Sequence, residues 1–222
     1  MDASDTETSA VRRRLLFFKR QQYIEWDVDS EKPVPGFPRD IREDWPGLLE
    51  TFPEHALRGA LYVPQWRESK LLFLFETQPV AVEWDIASNR AGKVHRISGI
   101  LPSKLTADGD ACLVSAETAD GIPVIYGFRE QECTRWTVNS DAYPAQEDEG
   151  YPRRTAEGWK DGPVLAPKSG VYVHWRNRSS AHSNRKIYFF LGDLYLRWDV
   201  PSNTRNYRLD IVAGWKQWPD FE

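Results

Sequence analysis

The sequence predicts an all-β chain, a four-bladed propeller with short helical turns between the blades. Three observations carry that expectation. A hairpin-like stretch recurs four times, a second element trails each copy in the same order, and the copies lie 52 to 62 residues apart. That interval holds four short strands and a helical turn, and self-similarity at such a period marks a solenoid or a propeller. Strands this short favour blades set around a channel, and four units fill the 222 residues.

The recurring stretches are FFKRQQYIEWD (17–27), LFETQPVAVEWD (74–85), GFREQECTRWT (127–137) and FFLGDLYLRWD (189–199). Each alternates apolar and polar residues on both sides of a short polar turn, the pattern of a hairpin with one face on a core. The second aromatic precedes the Trp by eight residues in three copies: Phe18 to Trp26, Phe128 to Trp136 and Phe190 to Trp198. In the second copy the interval from Phe75 to Trp84 is nine, and Pro79 in the turn predicts a bulge there. Trp26, Trp84, Trp136 and Trp198 read as structural.

The trailing element is GFPRDIREDW (36–45), GYPRRTAEGW (150–159) and YRLDIVAGW (207–215), again with eight residues from aromatic to Trp. In the second unit KVHRISGILP (93–102) sets Leu101 in place of the Trp, while Pro102 matches Pro46. Asp40, Ile41 and Trp45 are spaced as a capped helical turn leaving a strand. The chain thus divides into blades of about 1–53, 54–105, 106–165 and 166–222 within one domain over 1–222.

A composition 41% apolar and 28% charged is that of a globular chain. The net charge of −4 argues against nucleic acid, which selects a basic face. No apolar run approaches the 18 residues of a membrane span. The opening MDASDTETSAVRRR lacks the apolar stretch of a signal peptide, so a cytoplasmic location is expected. Cys112 and Cys133 fit that location as small buried residues, and two cysteines at this spacing lack the partners of a zinc site.

The repeats resemble the hemopexin-like family. Its pattern is an inner-strand Asp-Ala, a Tyr/Phe-Phe-x-Gly-Asp-x-Tyr-x-x-aromatic-Asp hairpin, then Tyr-Pro and a Trp-Pro-Gly ending. YFFLGDLYLRWD (188–199) and WPGL (45–48) carry the likeness, which spans essentially the whole chain. Counting back from each hairpin places DAS (2–4), YVP (62–64), DAC (110–112) and YVH (172–174) on the inner strands. The resemblance implies a ring of Asp and Ala oxygens holding ions on the axis. Here Tyr62 and Tyr172 replace two of the four Asp, and phenols are poor ligands for hard cations beside carboxylates. No metal is therefore expected, with Asp2 and Asp110 the remnant of such a ring.

The same strands run into QWRES (65–69) and HWRNR (174–178). Tyr62, Tyr172, His174 and Asp110 around one opening are candidate catalytic groups, and Trp66, Arg67, Trp175 and Arg176 candidate substrate contacts. Trp offers stacking area, Arg holds an anionic oxygen, Tyr donates a hydrogen bond, and His or Asp transfers protons near neutral pH. The alternative for Trp66 and Trp175 is packing between blades, and for Arg67 and Arg176 a solvated surface. His55, His95 and His182 lie in no motif, and the chain has no nucleophile elbow, phosphate loop or HExxH.

Three functions follow from the resemblance. One is a ligand-binding propeller without catalysis; polyamine would suit an acidic channel, whereas haem needs axial ligands and only His174 lies near. The second is a cofactor-free enzyme similar to the fungal hemopexin-fold hetero-Diels–Alderases of tropolone–sesquiterpene biosynthesis. The job implied is dehydration of a hydroxymethyl tropolone to a quinone methide and its cycloaddition to a terpene alkene. That needs an acid, a donor at the tropolone oxygens and an orienting apolar wall, and the sequence reading favours it narrowly. The third is a recognition module such as a lectin.

Overall fold

The computed structural model describes residues 14–53, 55–62, 70–76, 78–108, 110–139, 143–144, 146–159, 167–174, 185–211 and 215. Four separate antiparallel sheets follow one another along the chain. The first holds the hairpin β1 (Arg14–Lys19) and β2 (Gln22–Asp27), with the short β3 (Lys32–Pro33) and β4 (Arg39–Asp40) both pairing β2. After the single turn α1 (Ile41–Asp44), the second runs β5 (Leu57–Tyr62), β6 (Lys70–Phe75), β7 (Val80–Asp85) and β8 (Arg90–Arg96), followed by α2 (Ile97–Ile100). The third is β9 (Cys112–Glu117), β10 (Pro123–Arg129), β11 (Glu132–Thr137) and the short β12 (Arg153–Arg154), followed by α3 (Thr155–Gly158). The fourth is β13 (Ser169–His174), β14 (Arg185–Leu191), β15 (Leu194–Asp199) and β16 (Thr204–Asp210). Each sheet is a blade of a four-bladed propeller.

The aromatic pair is written repeatedly because neighbouring residues of a strand face opposite sides of the sheet. One ring of each pair therefore meets the blade before and the other the blade after. Phe18 packs edge-on to Phe73 at 5.5 Å, Phe128 to Phe189 at 5.0 Å, and Phe190 to Phe17 at 5.3 Å. The last contact joins the fourth blade to the first. Between blades two and three the equivalents are Leu74 and Gly127. A Cβ at Gly127 would come within 2.9 Å of Thr134 Cγ2 and 3.2 Å of the Trp136 ring, so glycine alone fits.

The Trp and the trailing turn form a latch between blades. Each turn docks by backbone on its own hairpin loop: Ile41 N–H on Gln21 O, Ile97 on Pro79 O, Thr155 on Gln131 O, and Ile211 on Asp193 O, at 2.8 to 2.9 Å. It then delivers its last residue to the Trp of the next blade. Trp45 meets Trp84 at 5.3 Å, Trp159 meets Trp198 at 5.0 Å, and Trp215 meets Trp26 at 4.9 Å. Leu101 takes that place beside Trp136, whose indole N–H donates to Pro102 O at 3.2 Å. The predicted cap is present, Asp40 Oδ1 accepting from Arg42 N–H. The Asp that follows the Trp holds the next turn: Asp27 Oδ1 accepts from Asp29 and Ser30 N–H, and Asp85 Oδ1 from Ser88 N–H.

Two readings of register change. In the second hairpin Leu71 pairs Trp84 and Leu74 pairs Ala81, so Leu74, not Phe75, fills the second aromatic position. The extra length sits in a longer loop between β6 and β7, and the register shifts instead at two other places, between Leu57 and Gly59 of β5 and between Val82 and Trp84 of β7 where it pairs β8. On the inner strands Tyr62 and Tyr172 are equivalent, facing Leu71 and Ile187, but their counterpart in blade three is Ser115 facing Ile125. Asp110 precedes that strand by two residues and lies five before Ser115, about 16 Å away at the rise of an extended chain. Asp110 and the two Tyr belong to opposite ends of the inner strands.

Cys112 and Cys133 are free and buried, as expected. Burial pushes the Cys112 thiol up to about 12 against the pull of the Arg58 guanidinium, which leaves it unreactive. No helix among the described residues is long and apolar enough to cross a membrane.

Candidate functional site

β9 and β13 lie side by side, and their last residues, Glu117 and His174, hold equivalent places in adjacent blades. The close approach depends on Gly170, where a Cβ would lie 2.6 Å from Val114 Cγ2. Three side chains converge on Glu117 Oε2. The Tyr172 hydroxyl donates to it at 2.8 Å, His174 Nδ1 lies 3.6 Å away, and Arg185 Nη1 lies 4.0 Å away. Arg185 also donates to Thr118 O at 2.9 Å and Ala119 O at 2.6 Å, fixing the loop after β9.

Glu117 is also on the rim of a cleft of about 470 Å³ between blades three and four. Its walls, among the described residues, include Tyr126, Tyr151, Trp159 and Trp198 with Arg135 and Arg153. The guanidiniums of Arg135 and Arg153 lie 5.0 and 4.5 Å from the Tyr151 ring centre, and Arg153 Nη2 donates to the Tyr151 hydroxyl at 2.7 Å. Arg135 Nε donates to Asp148 Oδ2 at 2.6 Å, and Asp148 accepts from both the backbone and the hydroxyl of Thr137. Burial raises the Tyr126 and Tyr151 phenols, so both remain protonated donors at neutral pH.

The sequence candidates separate accordingly. Tyr172 and His174 meet at Glu117, whereas Tyr62 is exposed on blade two and Asp110 is exposed at the opposite end of the inner strands. Asp2, Trp66, Arg67, Trp175 and Arg176 lie outside the described residues. Sequence reasoning missed Glu117, Arg135, Tyr151, Arg153 and Trp159. Tyr151, Arg153 and Trp159 stood in the GYPRRTAEGW element, which reads as a latch alone.

At the other end of the channel, a cavity of about 110 Å³ is bordered by Arg58, Cys112 and Lys168. The Arg58 guanidinium is lowered by burial, and Cys112, Asp110 and Glu76 offset that in part. The positive charge of Arg58 thus already acts on Asp110, the described member of the expected ion ring. Among the described residues no three His, Cys, Asp or Glu side chains group as metal ligands.

The sequence matches no family model and no curated relative. Solved structures with the same architecture do match. A hemopexin fold protein, CP4 of cow pea, superposes with a TM-score of 0.65 at 15% identity, over 93% of this chain and 92% of that one. The fold is the hemopexin fold. The seed albumin LS24 of Lathyrus sativus shares the hemopexin fold at TM-score 0.64 and 14% identity, over 93% and 91% of the two chains. A plant lectin with two metal binding sites from Cicer arietinum does so at 0.63 and 12%, over 94% and 93%.

Proposed function

We propose that the protein binds a small organic molecule in the cleft between blades three and four, with Glu117, Tyr172 and His174 as its polar rim. The observation that carries this reading is the convergence of those side chains on one carboxylate oxygen beside a cleft of about 470 Å³ walled by aromatic rings. Albumins and a lectin built on the same fold are consistent with a binding role. At 12 to 16% identity, in structures that share only the fold, their ligands do not transfer to this chain.

A second reading, dehydration to a quinone methide and hetero-Diels–Alder addition, draws on the same cluster. Loss of water from a hydroxymethyl tropolone needs a proton delivered to the departing hydroxyl and another taken from the ring hydroxyl. His174 would deliver the proton to the departing hydroxyl and Glu117 would take the one from the ring hydroxyl, with Tyr172 fixing Glu117. The cleft walls would then hold the alkene against the quinone methide, a step of orientation that requires no cofactor.

Trp159 and Trp198 line the cleft, so an occupant should change the intrinsic fluorescence. Titration with tropolones and phenolic quinone-methide precursors, beside haem, spermine and simple sugars, tests occupancy; silence from every flat aromatic probe would sink the cleft reading. Product formed on adding a terpene alkene, and reduced about 100-fold in a Tyr172→Phe, His174→Ala variant, would establish the enzyme. Binding without turnover leaves the non-catalytic role.

A further inference from the structure

Of the basic side chains at the cleft, Arg153 is the one whose charge the described residues leave uncompensated. Arg135 is paired with Asp148, and Arg185 lies against Glu117 and two carbonyls. Arg153 makes no ion pair among the described residues; its Nη2 donates to a phenol, and it also meets the thiol of Cys133, which burial keeps neutral. Leaving a partly buried guanidinium in that state costs free energy unless an anion completes it.

The guanidinium is also held in place. It lies over the Tyr151 ring on one side and against the Gly158 backbone on the other. A Cβ at Gly158 would fall 2.6 Å from Nη2 and 2.8 Å from Cζ and Nε, so only glycine leaves room for it. A cation fixed in this way is pre-organised for a ligand.

We infer that the cleft takes a flat aromatic monocarboxylate, its carboxylate on Arg153 and its ring among Tyr126, Tyr151 and Trp159; the inference rests on the binding reading above and gives it a ligand class. The charge of the ligand follows from the rest of the lining. Glu117 and Asp120 border the same cleft, so a dianion such as a phosphate ester would meet about twice the repulsion of a single carboxylate. The flat body follows from the walls, where Tyr126 and Trp159 stand edge-to-face at 4.9 Å.

The test compares 4-hydroxybenzoate with 4-hydroxybenzamide, which keeps the ring and loses the charge. In wild-type protein the carboxylate should bind at least about tenfold more tightly than the amide, by titration calorimetry and Trp fluorescence, from the strength of a charge-assisted hydrogen bond. Arg153→Gln should abolish the preference, and Gly158→Ala, which displaces the guanidinium without removing it, should reduce it. Equal binding of the two probes to wild-type protein, or a preference that survives in Arg153→Gln, overturns the inference and leaves the cleft reading standing. Binding of neither probe, with no response to any neutral aromatic, removes both. The wild-type comparison decides the matter even if a variant fails to fold.

Discussion

At the scale of single residues, blade contacts are set by what is missing from a side chain as much as by what is present. Gly170 allows β13 to approach β9 until Val114 fills the space a methyl group would need. Gly170→Ala should therefore destabilise the protein by about 1–3 kcal/mol through overpacking, read from the urea midpoint. Val114 is buried, and Val114→Ala alone should also destabilise. The two changes together should cost less than their sum, because each relieves the other. Strict additivity would mean the two side chains do not compete for that space. Neither glycine nor valine carries a motif, so this constraint was not legible in the chain. The recurring Trp-Asp was legible, because it joins a buried ring to a carboxylate that caps the next turn within three residues.

At the scale of elements, the latch explains why hairpin and trailing turn always occur together. The turn docks on its own hairpin by one backbone hydrogen bond and commits its Trp or Leu to the next blade. Trp215→Ala should cost about 3–5 kcal/mol, as for a large buried aromatic. It should also raise amide exchange first in β1, β2 and β15, which that ring bridges. Uniform loss of protection in all four blades would argue that the latch is not local. Hairpins and latches were readable because each is a short run with a fixed interval. The inner strands were not: Asp-Ala and Tyr-Val sit at opposite ends of them, and a dipeptide without its pairing partner carries no register. The cleft was hidden for a related reason. Glu117, Arg153 and Tyr172 lie on different strands of two blades, and only the folded chain places Tyr172 on Glu117 and Arg153 beside the same cleft.

At the scale of the whole molecule, the ring closes through Phe17 on Phe190 and Trp26 on Trp215. The other three junctions use the equivalent positions, so closure adds no new kind of interaction. Arg58 brings its own positive charge to Asp110, the described member of the expected ion ring. Millimolar Ca²⁺ should accordingly leave the Tm of the wild-type protein unmoved, since a ligand that binds only the folded state would raise it. A rise of several degrees in a calorimetric scan would show that the channel accepts the ion despite Arg58.

The outer rims of the blades carry a consequence of their own. In blades two and four the outermost strand is a run of seven residues, Arg90–Arg96 and Thr204–Asp210, whereas in blades one and three the described residues form only pieces of two. A long edge with free backbone groups is a template for another chain, and short edges offer little to pair with. The long edge of blade two is studded with exposed Arg90, Lys93 and Arg96. Two copies meeting edge to edge there would oppose like charges along the whole seam. The propeller therefore guards its perimeter by two means, brevity on alternate blades and electrostatic repulsion on blade two, and neutralising those cations is the change most apt to turn a ring into a stack.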